Sequence, residues 1–399
     1  MALFFAAVTV RSSHGDIREG CAADEPVVAQ LAAGTAVSLR FALNDGSNCY
    51  KVTALVDGKQ VDGYINGSAL DGLEQFERER REARDGSSIR ILTPVEKLQK
   101  SVAVQGSNPI LQRASQLLQA NQPSNALNVL EPMLKYQDPD ALFLAGLAAY
   151  RSDRVKDALD YWKQSLALRP NEALASFASR VEREAAADRS GQKLYGLRVV
   201  LRYEGEKMQP EVAQSLLGVL DDEFTRISGQ LGCPADERIV AIVQSRSAYL
   251  KSTDAAEWSG GQYDGRIRVS LPESGAVGAQ TRKALAHEIV HACLTNISNS
   301  WPAWLQEGLA QKLSGDTLSA AAAAALRQQA AEHTLPRLEN IGQSWSRMSA
   351  QHARMAYNLA LAAVDAMMER YANYGIRNIL SNPGQLPAIT TDLDRTLGL

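Results

Sequence analysis

The chain has 399 residues, 45% hydrophobic and 22% charged, the balance of an ordinary globular protein with two to four domains of roughly 100–200 residues. Lys+Arg 42 against Asp+Glu 45 leaves a net charge of -3, which argues against nucleic-acid binding by bulk charge and leaves only a local patch for it. No run of about 18 apolar residues exists, so no transmembrane segment is expected.

The N-terminal stretch MALFFAAVTVRSSHG is apolar only as far as Val10. It has no charged n-region and no small-residue cleavage site, so it reads as a first strand, or as a gene start without its leader. Residues 1–72 are read as all-β. VTVRSS, VVAQL, AVSLRFAL, CYKVTALV and DGYING are short runs rich in Val, Tyr and Leu, separated by Gly, Asp and Asn. Asp57-Gly58 before Lys59 is a strong hairpin signal. Several short strands in so few residues suggest a small barrel. The VTVRSS start and the DGYING end resemble bacterial Src-homology-3-like domains. Cys21 and Cys49 fall inside this unit, where a disulfide suits an oxidising compartment; two free thiols are the alternative. The chain has no CxxC, so a cysteine zinc site is not expected.

Residues 73–106, with LEQFERERREARDG, are read as a charged linker or a short exposed helix. Residues 107–190 are helical with an internal period. Gly146, Ala158, Trp162 and Pro170 are spaced like the small, small, aromatic and proline positions of a tetratricopeptide repeat, which this segment resembles. Thirty-two residues earlier, Ala114, Ala126 and Leu130 match Gly146, Ala158 and Trp162. Two repeats and a capping helix near 172–187 are expected, acting as a peptide-binding surface or as a spacer.

Residues 191–399 open with strand-like segments (LYGLRVVLRYEG, RIVAIVQS, GRIRVSL) around a helix from Pro210 to Gly232. From Ala279 the pattern is helical almost to the end, an α+β order. Within it lies His287-Glu288-Ile289-Val290-His291. At 100° per residue the two histidines are only about 40° apart, so both imidazoles leave one helix face and can share a Zn²⁺. Glu288 is placed to act as general base on an activated water. With 5 His and 23 Glu, chance placement gives about 0.004 such motifs. Glu307, in WPAWLQEGLAQKL, follows at a distance that allows a second helix to return, with Pro302 at its start. Trp304, Leu305, Leu309 and Leu313 would form its apolar face, and Gly308 and Ala310 would admit the metal helix closely.

HEIVHA followed by W-x-x-E-G-x-A resembles the gluzincin (thermolysin-like) metallopeptidases over about residues 192–385. The resemblance implies one Zn²⁺ per chain held by His287, His291 and Glu307, with Glu288 as catalytic base. One departure is Gln311, standing where a carboxylate often orients a ligand histidine; its amide oxygen would do this more weakly. The gluzincin layout also implies an antiparallel edge strand in EWSGGQYDGRIRVSL, with Gly261 allowing close approach and Trp258 and Tyr263 as candidate subsite walls. A later helix would supply an oxyanion donor, Tyr357 or else His352. Cys293 lies about 200° from His291 around the helix and reads as a buried thiol, while Cys233 shows no partner.

The leading expectation is a zinc peptidase acting on a peptide or protein substrate, with N-terminal modules that recruit a protein or cell-wall partner. The competing one is a non-catalytic scaffold with a structural or vestigial zinc site. Localisation leans extracytoplasmic, periplasmic or secreted, with the cytoplasm as the alternative.

Overall fold

The computed structural model describes residues 8–11, 14–43, 48–74, 77, 108–187, 191–205, 208–234, 237–253, 261–271, 277–298, 301–342 and 350–399. Most of the charged linker and Trp258 fall outside these residues, as does the side chain of His352. The chain divides into two compact units: residues 1–89 with 245–260, and residues 90–244 with 261–399.

The first unit is built on β1 (Thr9–Val10), β2 (His14–Arg18), β3 (Val27–Ala32), β4 (Val37–Leu43), β5 (Cys49–Val56), β6 (Lys59–Asn66) and β7 (Leu70–Asp71). Asp57 and Gly58, both at positive φ (50° and 75°), form the two-residue loop joining β5 to β6. This backbone twist matches that of the strands it connects. The main sheet has the order β3-β2-β6-β5-β4, and β1 pairs with β7. Among the described residues β3 and β4 do not pair, so the sheet is open and the expected barrel is not closed. Within the sheet β2 makes a full ladder with β3 but a single partner pair, Arg18↔Tyr64, with β6. Ile17, Val52 and Leu70 fill the core beneath the sheet. Cys21 and Cys49 form a disulfide. A helix from the middle of the chain, α7 (Arg246–Thr253), also belongs to this unit, with Tyr249 and Leu250 packed against Cys49 and Tyr64.

The second unit begins with five helices: α1 (Pro109–Gln119), α2 (Pro123–Leu134), α3 (Pro139–Arg151), α4 (Val155–Leu168) and α5 (Glu172–Ala187). Gly146 and Trp162 meet where α3 crosses α4, and a Cβ on Gly146 would lie inside the indole ring. The Trp162 N–H donates to the Phe143 carbonyl at 3.3 Å, so this buried ring leaves no polar group unsatisfied. Ala114, Ala126 and Leu130, the matching residues of the first helical pair, are fully buried too.

Next come β8 (Gly191–Tyr195), β9 (Val199–Glu204), α6 (Pro210–Leu231), β10 (Ile239–Gln244), β11 (Gly261–Tyr263) and β12 (Ile267–Ser270). The segment LYGLRVVLRYEG is thus a hairpin of two strands, not one strand. The Asp221 carboxylate makes its turn by accepting from the amides of Leu197, Arg198 and Val199. The sheet order is β11-β12-β10-β9-β8. Its centre is parallel (β9, β10, β12) and both outer pairs are antiparallel. Every residue of β10 is buried, as a parallel strand covered on both faces requires. The remainder is helical: α8 (Ala279–Ile297), α9 (Ala303–Ser314), α10 (Ala320–Ala331), α11 (Ala350–Ser381) and α12 (Leu386–Leu397).

Candidate metal centre

The HEIVH motif lies in the middle of α8, where Leu285, Ile289, Val290 and Leu294 are buried alongside it. This helix packs on β11 and β12 and against α6 and α9. Trp301 sets the return of the chain: its indole N–H donates to the Leu294 carbonyl at 3.0 Å. Pro302 then caps the N-terminus of α9, and Gly315, in the left-handed region at φ 95°, ends it.

Three ligand atoms converge. His287 Nε2 and His291 Nε2 are 3.2 Å apart. Glu307 Oε2 lies 3.5 Å from the first and 3.6 Å from the second. Zinc–ligand bonds of about 2.0–2.1 Å in a tetrahedron require donor separations of about 3.3 Å, so the three distances fit one shared ion. All three residues are buried, and Glu307 Oε2 has no hydrogen-bond partner. Among the described residues no other group of His, Cys, Asp and Glu has this spacing. Two carboxylates (Glu288 and Glu307) and two imidazoles in one buried place favour a dication. Burial works against charge on Glu307, but His291 and His287 outweigh it and hold the carboxyl well below its usual range. Burial likewise disfavours charge on His287, and Glu307 and Glu288 outweigh that, raising its pKa.

Glu288 lies against Gly261 of the edge strand. A Cβ on Gly261 would stand 2.7 Å from Glu288 Oε1 and 2.8 Å from its Cγ, so only glycine leaves the carboxylate in place. The obstructed atoms belong to a side chain that can rotate away. Gly261→Ala is therefore expected to displace Glu288, lowering kcat/KM at least tenfold with zinc stoichiometry unchanged. Kinetics beside elemental analysis check this, and wild-type turnover in the alanine variant would refute it.

Other residues take different places from those expected. Tyr263 is 2% exposed, buried to the same depth as Glu288 and Tyr357. By strand alternation it shares a face with Gly261, toward α8. Gly308 admits α11, not the metal helix, since a Cβ there would collide with the Ala360 carbonyl. The Gln311 amide N–H donates to the carbonyls of Glu307 (3.3 Å) and Tyr357 (3.0 Å), which ties α9 to α11. His287 Nδ1 is buried without a hydrogen-bond partner, so the Gln311 oxygen does not accept from that nitrogen. Tyr357 is buried on α11 beside this contact. Cys293 is no free thiol. It forms a disulfide with Cys233, tying α8 to the chain just after α6. The even cysteine count was the signal for this pairing: with Cys21 and Cys49 joined, two remained.

No family model matches the chain, and neither curated proteins nor solved structures yielded a match.

Proposed function

We propose that the second unit is a zinc-dependent peptidase. The observation that carries this reading is the convergence of His287, His291 and Glu307 on one point, with Glu288 one residue from a ligand. Two nitrogens and one carboxylate oxygen suit zinc and leave a coordination position for chemistry. Bound zinc would polarise a scissile carbonyl and lower the pKa of a water. Glu288 takes the proton from the attacking water and delivers it to the leaving amine nitrogen. The edge strand β11 supports a peptide substrate, because an extended segment can add to a sheet edge by main-chain pairing. Tyr357 is the assigned oxyanion donor, with His352 as the alternative. The two disulfides favour an oxidising, extracytoplasmic setting. Among the described residues no helix is long and apolar enough to cross a membrane. The open sheet of the first unit is assigned to recruitment of a protein or cell-wall partner.

The test is elemental analysis of the full chain, wild type beside His291→Ala. About one zinc per chain, lost in the variant, is expected from the ligand count. Absence of zinc from wild-type protein after reconstitution would defeat the reading.

A further inference from the structure

Arg266, the last residue of the β11–β12 turn, and Arg268 of β12 are both fully buried. Within the strand, Ile267 and Val269 point to the face opposite Arg268. Opposite the arginines stand α3 and α5. Glu184 of α5 accepts from Arg268 with both carboxylate oxygens (2.9 Å each) and from Arg266 at 2.9 Å. Tyr150 of α3 donates to Asp264 Oδ2 at 3.0 Å and accepts from Arg268 at 3.0 Å. The Arg266 guanidinium stacks on the Tyr150 ring, 3.7 Å from its centroid. Asp264 also pairs with Arg268 at 3.2 Å and Arg180 at 3.6 Å. At the tip of the turn Gly265 sits at φ +96°, where a Cβ would meet Arg151 Nε at 2.9 Å.

Such a cluster is a costly way to hold two surfaces together. Each ion loses its hydration, and an apolar contact of equal area would bind as well without that loss. What ions and oriented hydrogen bonds add is a single register. Burial raises the Asp264 pKa, but Arg268, Arg180 and Arg266 overcome this and hold it at about 2. β11 runs directly into the held turn, and its first residue, Gly261, two positions before the strand's last residue, lies against Glu288.

We propose that the α3–α5 helices are a clamp whose ligand is the β11–β12 turn of the same chain. Tyr150, Arg180 and Glu184 are positioning residues that fix β11, and with it the seat of Glu288 and the strand edge that pairs with substrate. This face of the helical repeats is therefore filled and does not recruit a separate peptide. The consequence for catalysis rests on the peptidase reading above. The clamp itself is measurable without turnover.

The experiment compares full-length wild type with Tyr150→Phe and Asp264→Asn, and with Leu130→Ala as a control in the first helical pair. Amide hydrogen exchange is read over residues 261–264, and zinc content and kcat/KM are read on the same samples well below the melting temperature. Tyr150→Phe keeps the ring and removes only the hydroxyl bridge. It is expected to speed exchange over 261–264 at least tenfold and to lower kcat/KM by a similar factor, at unchanged zinc content. Asp264→Asn should do the same, and Leu130→Ala should leave exchange there at the wild-type rate. Unchanged exchange in Tyr150→Phe, or equal acceleration in Leu130→Ala, would overturn the clamp. A wild type without turnover would sink the peptidase reading alone, because exchange decides the clamp separately.

Discussion

Glu288→Gln is expected to lower turnover on peptide substrates by about 10³-fold, within the range for loss of a general acid–base group, while zinc stays at one per chain. The side chain is not among the three atoms that converge on the metal position. The amide has nearly the shape of the carboxylate, so packing against Gly261 survives. What disappears is the ability to accept a proton from water and pass it to the amine. Kinetics on a peptide library beside zinc analysis make the measurement. A scaffold with a structural zinc would be indifferent to this change in every assay, so a variant as active as wild type would count directly against catalysis. Loss of zinc in the variant would show that Glu288 supports the ligands, not the chemistry.

The second large effect concerns the Cys233–Cys293 disulfide. It closes a span of 60 residues and joins the chain just after α6 to α8, two residues past His291. Chain-entropy reasoning for a loop of that size gives about 4 kcal/mol of stabilisation. The Cys233→Ala, Cys293→Ala double variant is therefore expected to lower the melting temperature of the metal-bearing unit, on the order of 10 °C. Zinc retention on heating should fall in parallel, since α8 carries two ligands. The Cys21–Cys49 bridge lies in the other unit, so its removal should leave the zinc-linked transition unmoved. Calorimetry with and without chelator separates the two transitions. A metal-bearing transition insensitive to loss of Cys233 and Cys293 would show that this bridge contributes little.

Some features of the molecule are legible residue by residue. His287 and His291 share a helix face because a turn of helix is 3.6 residues, whatever surrounds it. Asp57-Gly58 turns because both can take positive φ. Gly146 and Trp162 meet because a missing Cβ and a large ring complement each other across two short helices. Arg266 and Arg268 are the contrary case. Ile-Arg-Val-Ser alternates like a strand with one face in water, yet its Arg268 and the preceding turn residue Arg266 are buried. Nothing within the strand announces the carboxylates of α5 that receive them.

By itself, then, the sequence determined the local geometry of this protein: periods, turns, caps and the one-turn spacing of His287 and His291 on α8. All of these follow from interactions between residues only a few positions apart. Tertiary structure alone decided that the first sheet stays open, that 245–260 joins the N-terminal unit, that Cys233 meets Cys293, and that Tyr150 of α3 meets Asp264 of the β11–β12 turn. Each depends on groups tens of residues apart or more, brought together by burial. Burial is a property of the packed surfaces and carries no period along the chain.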